Sequence, residues 1–323
     1  MKHLAALPVI VTLALGATAC GASSNNTAPR VISAPSASAT GLPSTGGKGA
    51  IKIGAANFPE NGILAEVYKQ ALAHAGYDAS VVSLTTRPNI VTALQKGGIQ
   101  VEPDYVGSLT EYFNKATNGP GARPVASGDL QATYTAAKTF ASAKGLTVLT
   151  PSPAADQNAF AVTKAFSTKN NVTKLSDLAS YKGKLVLGGT PECKTYALCQ
   201  PGLEKLYGLR FTGFQQTDLG GTLSVSKLKS GEVTLGEYLS SDGSVKANDF
   251  VVLEDDKHLQ SVDNVVPVLA TSVANDPLVV KVLEAVSAAM TTEDLIALNA
   301  EVSIDRKLPA QAATDFLTAK RLL

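Results

Sequence analysis

Val101–Tyr112, VEPDYVGSLTEY, is the stretch that decides the fold. It follows a helix-like run, Asn89–Lys96, and a Gly97-Gly98 break. Its first half reads as a short apolar strand ending at Tyr105. Gly107 lets the backbone approach something closely, and Ser108 opens the next helix. A strand end followed by Gly and a helix N-terminus is where open α/β sheets hold ligands. This corner is therefore expected to form one wall of a binding cleft.

Outward from the corner, strands and helices alternate. Ala50–Ala56 reads as a strand, Asn57–Asn61 as a loop and Gly62–Ala75 as a helix. That helix has Ile63, Leu64, Val67, Tyr68, Ala71 and Leu72 at helical spacing, with Gly76 as its stop. Val81–Leu84 is the next strand and Arg87–Lys96 the next helix. Leu130–Ala143 reads as a helix and Leu146–Leu149 as a strand. A second set begins near Asn158: strands at Ala159–Val162, Lys184–Leu187, Val233–Leu235 and Phe250–Leu253, helices at Leu175–Tyr181, Pro201–Tyr207 and Gly221–Lys229. After Asn264–Leu269 the chain turns helical: Asp276–Ala289, Thr292–Ala300 and Pro309–Leu317. This alternation predicts an α/β fold with largely parallel sheets. There is also a faint internal echo. Leu94–Val101 leads to Tyr105 and Leu228–Leu235 leads to Leu239, each through a helix end, a Gly stop and a short apolar strand. The second copy reaches its own polar corner, Ser240-Ser241-Asp242-Gly243. Shared punctuation by chance and two similar lobes facing one cleft are both open readings.

The bulk numbers fit. The chain has 323 residues, 45% hydrophobic and 17% charged, with a formal net charge of +1. That is enough for about two domains and gives no reason to expect a nucleic acid partner. Only three His are present (His3, His74, His258), too few for a His-based metal or catalytic cluster. Motifs for a nucleophile elbow, a zinc protease, a P-loop or a dinucleotide fold are absent. Ser224 and Lys227 fit SxxK, which places them one helical turn apart. That leaves a secreted serine enzyme as the rival from another class, with no partner motif beside it. Glu254-Asp255-Asp256 reads as a solvated turn. No metal and no cofactor are expected.

The N-terminal segment carries an address. Met1–Cys20 has basic Lys2, an apolar run from Leu4 to Leu15, and small residues Ala17-Thr18-Ala19 before Cys20. This is a secretory signal, and small residues directly before Cys resemble a bacterial lipobox, with Cys20 lipidated. Ordinary cleavage with an incidental Cys is the alternative. Gly21–Lys48 is rich in Ser, Ala, Thr, Gly, Pro and Asn and reads as a flexible tether. In an exported protein, Cys193 and Cys199 are expected to pair and so to stiffen a local loop that carries Tyr196.

The runs Ile51–Leu64, Ala73–Tyr77, Pro103–Ser108, Pro201–Leu209 and Ser240–Gly243, in this order, are similar to substrate-binding proteins of the glycine betaine/carnitine/choline ABC importers. The resemblance spans Ala50 to the C-terminus. It implies a two-lobed periplasmic-binding-protein fold of type II, each lobe a mixed, mainly parallel sheet flanked by helices. Lobe one would be residues 49–157 and 257–323, and lobe two 158–256. It further implies a non-enzymatic monomer that captures a small solute for an ABC permease and its ATPase, and touches membrane only through a lipid anchor at the outer face of the cell membrane.

In the family an aromatic cage holds a quaternary ammonium, through attraction of about 0.5–2 kcal/mol per ring. By this resemblance Tyr105 matches a cage tyrosine, Ser108 a ligand-binding hydroxyl, and Asn61 stands where Gln is common. Asn158 and Leu239 depart from it, each replacing an expected aromatic, although Tyr238 is adjacent. Tyr196 would be a cleft contact on the stapled loop. Gln157, with Asp156 and Asn158, would suit a ligand with several hydrogen-bonding groups, and Asp242 completes the candidate set. Quaternary-amine osmolytes lead as ligand, followed by other zwitterions or polyols. A binding lobe recruited by a separate sensor is a third reading.

Overall fold

The computed structural model describes residues 47–323. The signal segment, Cys20 and all but the last two residues of the tether lie outside the described residues. The first strands are β1 (Ala50–Ala55), β2 (Asp78–Ser83), β3 (Val101–Tyr105) and β4 (Leu146–Val148). Then come β5 (Asn158–Thr163), β6 (Val186–Gly189), β7 (Gly213–Gln216), β8 (Leu235–Leu239) and β9 (Phe250–Val252), before β10 (Val265–Ala270). They form two five-stranded sheets, ordered β2-β1-β3-β10-β4 and β7-β6-β8-β5-β9. Late-coming β10 thus inserts into the first sheet, antiparallel to β3 and β4. In the second sheet β5 takes the same place, antiparallel to β8 and β9. The sheets share order and strand directions, so the sequence echo corresponds to repeated topology.

Both sheets are covered on both faces, as the apolar runs require. In β10 every residue is buried. Val265 and Leu269 pack with Ile53, Leu64 and Leu283 on one face, while Val266 and Val268 pack with Ile99, Leu109 and Phe113 on the other. This is the two-residue alternation of a strand buried on both sides. In the second lobe Phe160, Leu187, Leu203 and Leu235 make one cluster. Ala161, Leu228, Tyr238 and Phe250 make the other.

Helix boundaries differ from the sequence reading in ways that matter for the cleft. Helix α1 spans Pro59–His74, so it starts three residues before Gly62 and absorbs most of the expected loop; Pro sits in its first turn. Proline is preorganised for that position because its missing N–H has no helical partner to lose. Helix α2 spans Arg87–Gln95. Helix α3 spans Val106–Asn118 and begins directly at the end of β3, before Ser108. The strand β7 carries no alternation that would announce it.

The two halves are joined by crossing segments that lie side by side. Ser152 N–H donates to Val265 (2.8 Å), Val265 N–H to Ala154 (2.9 Å) and Asp156 N–H to Asp263 (3.0 Å). The Asn264 amide reaches the Ser152 carbonyl at 2.9 Å. Such a short antiparallel pair is a natural hinge, because few residues need to change dihedral angles for the halves to move.

Candidate functional site

A cleft of about 450 Å³ opens between the two sheets. Its walls bring together Tyr105 and Ser108 from the β3–α3 corner, Gln157 and Asn158 from β5 and its approach, Leu239 from the end of β8, and Tyr196 from the stapled loop. The cleft also takes in Asp156, named beside Gln157 in the sequence reading, and Phe58, Arg87 and Asp263, which that reading did not place in the set.

Asn61 and Asp242 do not line it. Asn61 is buried, and its carboxamide accepts from Ala56 N–H (2.7 Å) and donates to the Pro103 carbonyl (2.7 Å). Strands β1 and β3 pair only at Ile53 and Val101. Asn61 bridges the gap that opens beyond that pair, where Pro103 has no N–H to offer. Asp242 is the N-cap of the short helix Gly243–Ala247, accepting from Ser244 N–H. It satisfies a helix end rather than a ligand.

At the β3–α3 corner each residue is already engaged. Tyr105 is 5% exposed, and its hydroxyl donates to Glu60. Burial first, and then the nearby Glu60 carboxylate, push the phenol well above its ordinary value, so it stays a neutral donor. Phe58 lies beside it, with ring centroids 6.2 Å apart. Gly107 does permit a close approach, but of protein: a Cβ there would meet the Val262 carbonyl at 2.3 Å. That proximity brings Asp263 onto the helix N-terminus. Its Oδ1 accepts from Gly107 N–H (2.8 Å) and Ser108 N–H (2.9 Å), and its Oδ2 from the Ser108 hydroxyl (2.6 Å).

Carboxylates dominate the inner wall. Asp156 accepts from Ser241 Oγ at 2.6 Å. Burial, then the charge of Glu60, push Asp156 up to about 7. Burial also pushes Asp263 up to about 6, although its bonds from Ser108 work the other way. Glu60 is shared between Tyr105 and the Asn299 amide, and the same amide donates to the Ser241 carbonyl at 3.0 Å. This chain of contacts links α1 of the first lobe to the β8 corner of the second. Arg87 is the basic residue of the inner wall. Its Nη2 lies 2.7 Å from Asp104, and its Nε also donates to that carboxylate. Burial works against the guanidinium charge, but Asp104 more than offsets it and holds Arg87 firmly protonated.

The second lobe supplies different chemistry. Asn158 and Leu239 stand opposite each other in the β5–β8 register. Asn158 Nδ2 is buried with no hydrogen-bond partner among the described residues. Tyr238 points to the other side of its strand and packs in the lobe-two core against Phe250, so it cannot replace an aromatic at Leu239. The Cys193–Cys199 disulfide is formed, and both cysteines are buried in the core while Tyr196 between them is 50% exposed. Gln260 holds this loop through the Leu198 carbonyl at 2.7 Å. Asp255 in turn accepts from Gln260 N–H at 2.7 Å, so the acidic run is partly a structural clasp. Ser224 and Lys227 have separate partners: Ser224 Oγ donates to Asp218 and Lys227 to Gln215 at 2.9 Å.

Phe58 had a readable signal, since it too sits between a strand end and a helix start. Asp263 had none, because only the fold carries it to α3.

A profile described as the substrate binding domain of ABC-type glycine betaine transport systems matches residues 49–319. The glycine betaine-binding protein YehZ of Escherichia coli (strain K12) is 26% identical over 281 residues, covering 84% of this chain and 90% of its own length. A glycine-betaine-binding protein of Pseudomonas aeruginosa is 26% identical over 283 residues, covering 84% and 88%. A crystal structure described as a glycine betaine/carnitine/choline ABC transporter superposes with a TM-score of 0.74 at 22% identity, covering 83% of this chain and 98% of its own. It has the same fold.

Proposed function

This chain belongs to the family of substrate-binding domains of ABC-type glycine betaine transport systems, and on that premise we propose that its cleft captures a quaternary amine. Members of this family are extracytoplasmic carriers that bind small solutes and work with an ABC permease and its ATPase. The observation that carries the ligand class is the pairing of aromatic faces with buried carboxylates. Phe58, Tyr105 and Tyr196 line the same space as Asp156 and Asp263. A desolvated cation is attracted to both, and closure about the paired crossing strands would bury it. Tyr105 is the anchor, Tyr196 an adaptable contact, and Ser108 acts through the Asp263 clamp.

Isothermal titration with glycine betaine, choline and carnitine tests this reading, and heat from at least one is expected. No heat from any removes the ligand class. Tyr105→Ala should weaken the bound amine by about 1–3 kcal/mol, the usual cost of losing a buried aromatic anchor.

The address is a further part of the proposal. Lipidation at Cys20 would hold a monomeric binding domain at the outer face of the cell membrane, on the Gly21–Lys48 tether. Among the described residues, no helix is long and apolar enough to cross a membrane. Partition of the native protein into detergent, lost in Cys20→Ala, tests the anchor.

A further inference from the structure

We propose that Asn299 and Glu60 are positioning residues that make the setting of the Tyr105 ring depend on where the second lobe stands. This rests on the quaternary-amine reading, in which Tyr105 is the anchor, and extends it to residues that do not line the cleft.

The helix Thr292–Ser303 is built into the first lobe. Its Leu295 and Leu298 pack with Ile63, Leu64 and Val67 of α1 in the core. The Thr292 hydroxyl accepts from Ala155 N–H of the crossing strand at 3.1 Å. Yet the same helix also meets the second lobe. A Cβ on Gly243, at the start of the short helix Gly243–Ala247, would lie 2.5 Å from Ala300 N and 2.7 Å from its Cα. The two helices thus touch backbone to backbone, a close approach that the glycine permits.

Asn299 lies beside this contact. Its Nδ2 donates to Glu60 Oε2 and to the Ser241 carbonyl of the second lobe, the latter at 3.0 Å. Glu60 is buried, and its other oxygen accepts from the Tyr105 hydroxyl. A carboxamide has two hydrogens to donate, and Asn299 uses both. A shift of Ser241 therefore turns the amide or breaks one of its bonds. Glu60 feels either change, and because its two oxygens belong to one planar group, turning one moves the other. Tyr105 follows through its hydroxyl. Attraction of a cation to a ring depends on the face presented to it, so the position of the second lobe sets the strength of the anchor. Ser241 reaches the cleft by a second route too, its hydroxyl donating to Asp156 at 2.6 Å. By reciprocity, a ligand that fixes Tyr105 biases the position of the second lobe.

Fluorine NMR of the full chain labelled with 3-fluorotyrosine, paired with titration calorimetry against glycine betaine, choline and carnitine, tests the proposal. Tyr105→Phe identifies the Tyr105 signal by its loss. Asn299→Leu, which removes both donors at similar volume, should shift that signal in the ligand-free protein. It should also weaken whichever amine binds by about tenfold, within the usual range of coupling between sites. Gly243→Ala leaves every member of the relay in place but forces the two helices apart, and should move the same signal and weaken the same ligand. In the Tyr105→Phe background neither substitution should cost much further affinity, because the ring has lost the hydroxyl through which it is set. Equal losses of affinity in both backgrounds mean a merely structural role and overturn the inference. A Tyr105 signal that stays in place in both variants overturns it as well. Should Asn299→Leu not fold, Gly243→Ala decides alone. No binding of any of the three amines to the wild type removes the quaternary-amine reading, and the fluorine signal of the ligand-free protein still decides whether Asn299 sets the ring.

Discussion

At the end of β3 stands Tyr105, with its ring against Phe58 and its hydroxyl on Glu60. At the equivalent end of β8 stands Leu239, opposite Asn158, whose Nδ2 has no hydrogen-bond partner among the described residues. The two sheets have the same order and directions, so topology delivers two equivalent corners to one cleft. What the corners carry differs. The first lobe and the hinge supply an aromatic face and carboxylates, which suit a cation. The second lobe's corner supplies the apolar Leu239 and the Asn158 amide, and its ring, Tyr196, comes from the stapled loop instead. Repetition of a fold thus places positions, while the side chains at those positions divide the work of recognition. The asymmetry is physical. Tyr105 is fixed by a buried hydrogen bond to α1, whereas Leu239 is half-buried and free of any such tie.

The strongest way to break this comparison is to truncate both corners. Tyr105→Ala should destabilise the protein by about 3–5 kcal/mol, because a buried aromatic is lost and Glu60 is left short of a donor. Leu239→Ala should cost only about 1 kcal/mol. Denaturant unfolding would show it, and equal losses would mean that the second corner is as tightly built as the first.

Next in size is the staple. Replacing Cys193 and Cys199 together with Ser should cost about 2 kcal/mol of stability, the value expected for closing so short a loop. It should also loosen Tyr196, and hence weaken ligand more than Leu239→Ala does. Reduced affinity without lost stability would show that the disulfide acts on the cleft alone.

Leu239→Tyr tests the asymmetry from the opposite direction, by restoring an aromatic at the second corner. Binding of a quaternary amine should tighten by about 0.5–2 kcal/mol. A weaker ligand would indicate that the new ring crowds the 450 Å³ cleft.

A pH dependence of opposite sign is also expected for the free and bound protein. Asp156 is pushed up to about 7 and Asp263 to about 6 by burial. Both values lie above those of an unfolded carboxyl, about 3.9. The folded chain therefore holds more protons than the unfolded one between about pH 4 and pH 7, so stability falls as pH rises through that window. A bound cation favours the ionised carboxylates, so it releases protons. Its affinity should fall as pH drops below about 7, while the melting temperature of the free protein rises. Glu60, Asp104, Arg87 and the Ser108 and Ser241 hydroxyls face these groups and set the size of the effect. Melting curves at pH 5.5 and 7.5, with and without choline, separate the two trends. Parallel trends would exclude the hinge carboxylates as the cation's counter-charges.

Much of the fold was legible because it is written in local pattern. Gly stops, short apolar strands and helical spacing announce most elements, and the family resemblance supplied the two-lobed arrangement. Boundaries slipped where helix and strand abut. Helix α1 begins at Pro59, since Pro at a first turn serves as well as a residue after a loop. The strand β7 was missed because Gly-Phe-Gln-Gln is half-exposed at a sheet edge and has no apolar run. The site was less legible. Tyr105, Asn158, Tyr196 and Leu239 were found at strand ends and on the stapled loop, while Asn61 and Asp242 turned inward to satisfy backbone.

The amino-acid sequence determined by itself the alternation of elements, the strand-end corner, the proximity of two cysteines and the scarcity of catalytic side chains, because each is set by neighbours a few residues apart. Only the tertiary structure decided that Asp263 occupies the α3 N-terminus. More than 150 residues separate it from Gly107, and nothing local at either place requires the meeting. Charge balance in a cleft is a property of distances in space. Those distances depend on where β10 inserts, and so the kind of ligand the cleft favours emerges only once the chain has folded.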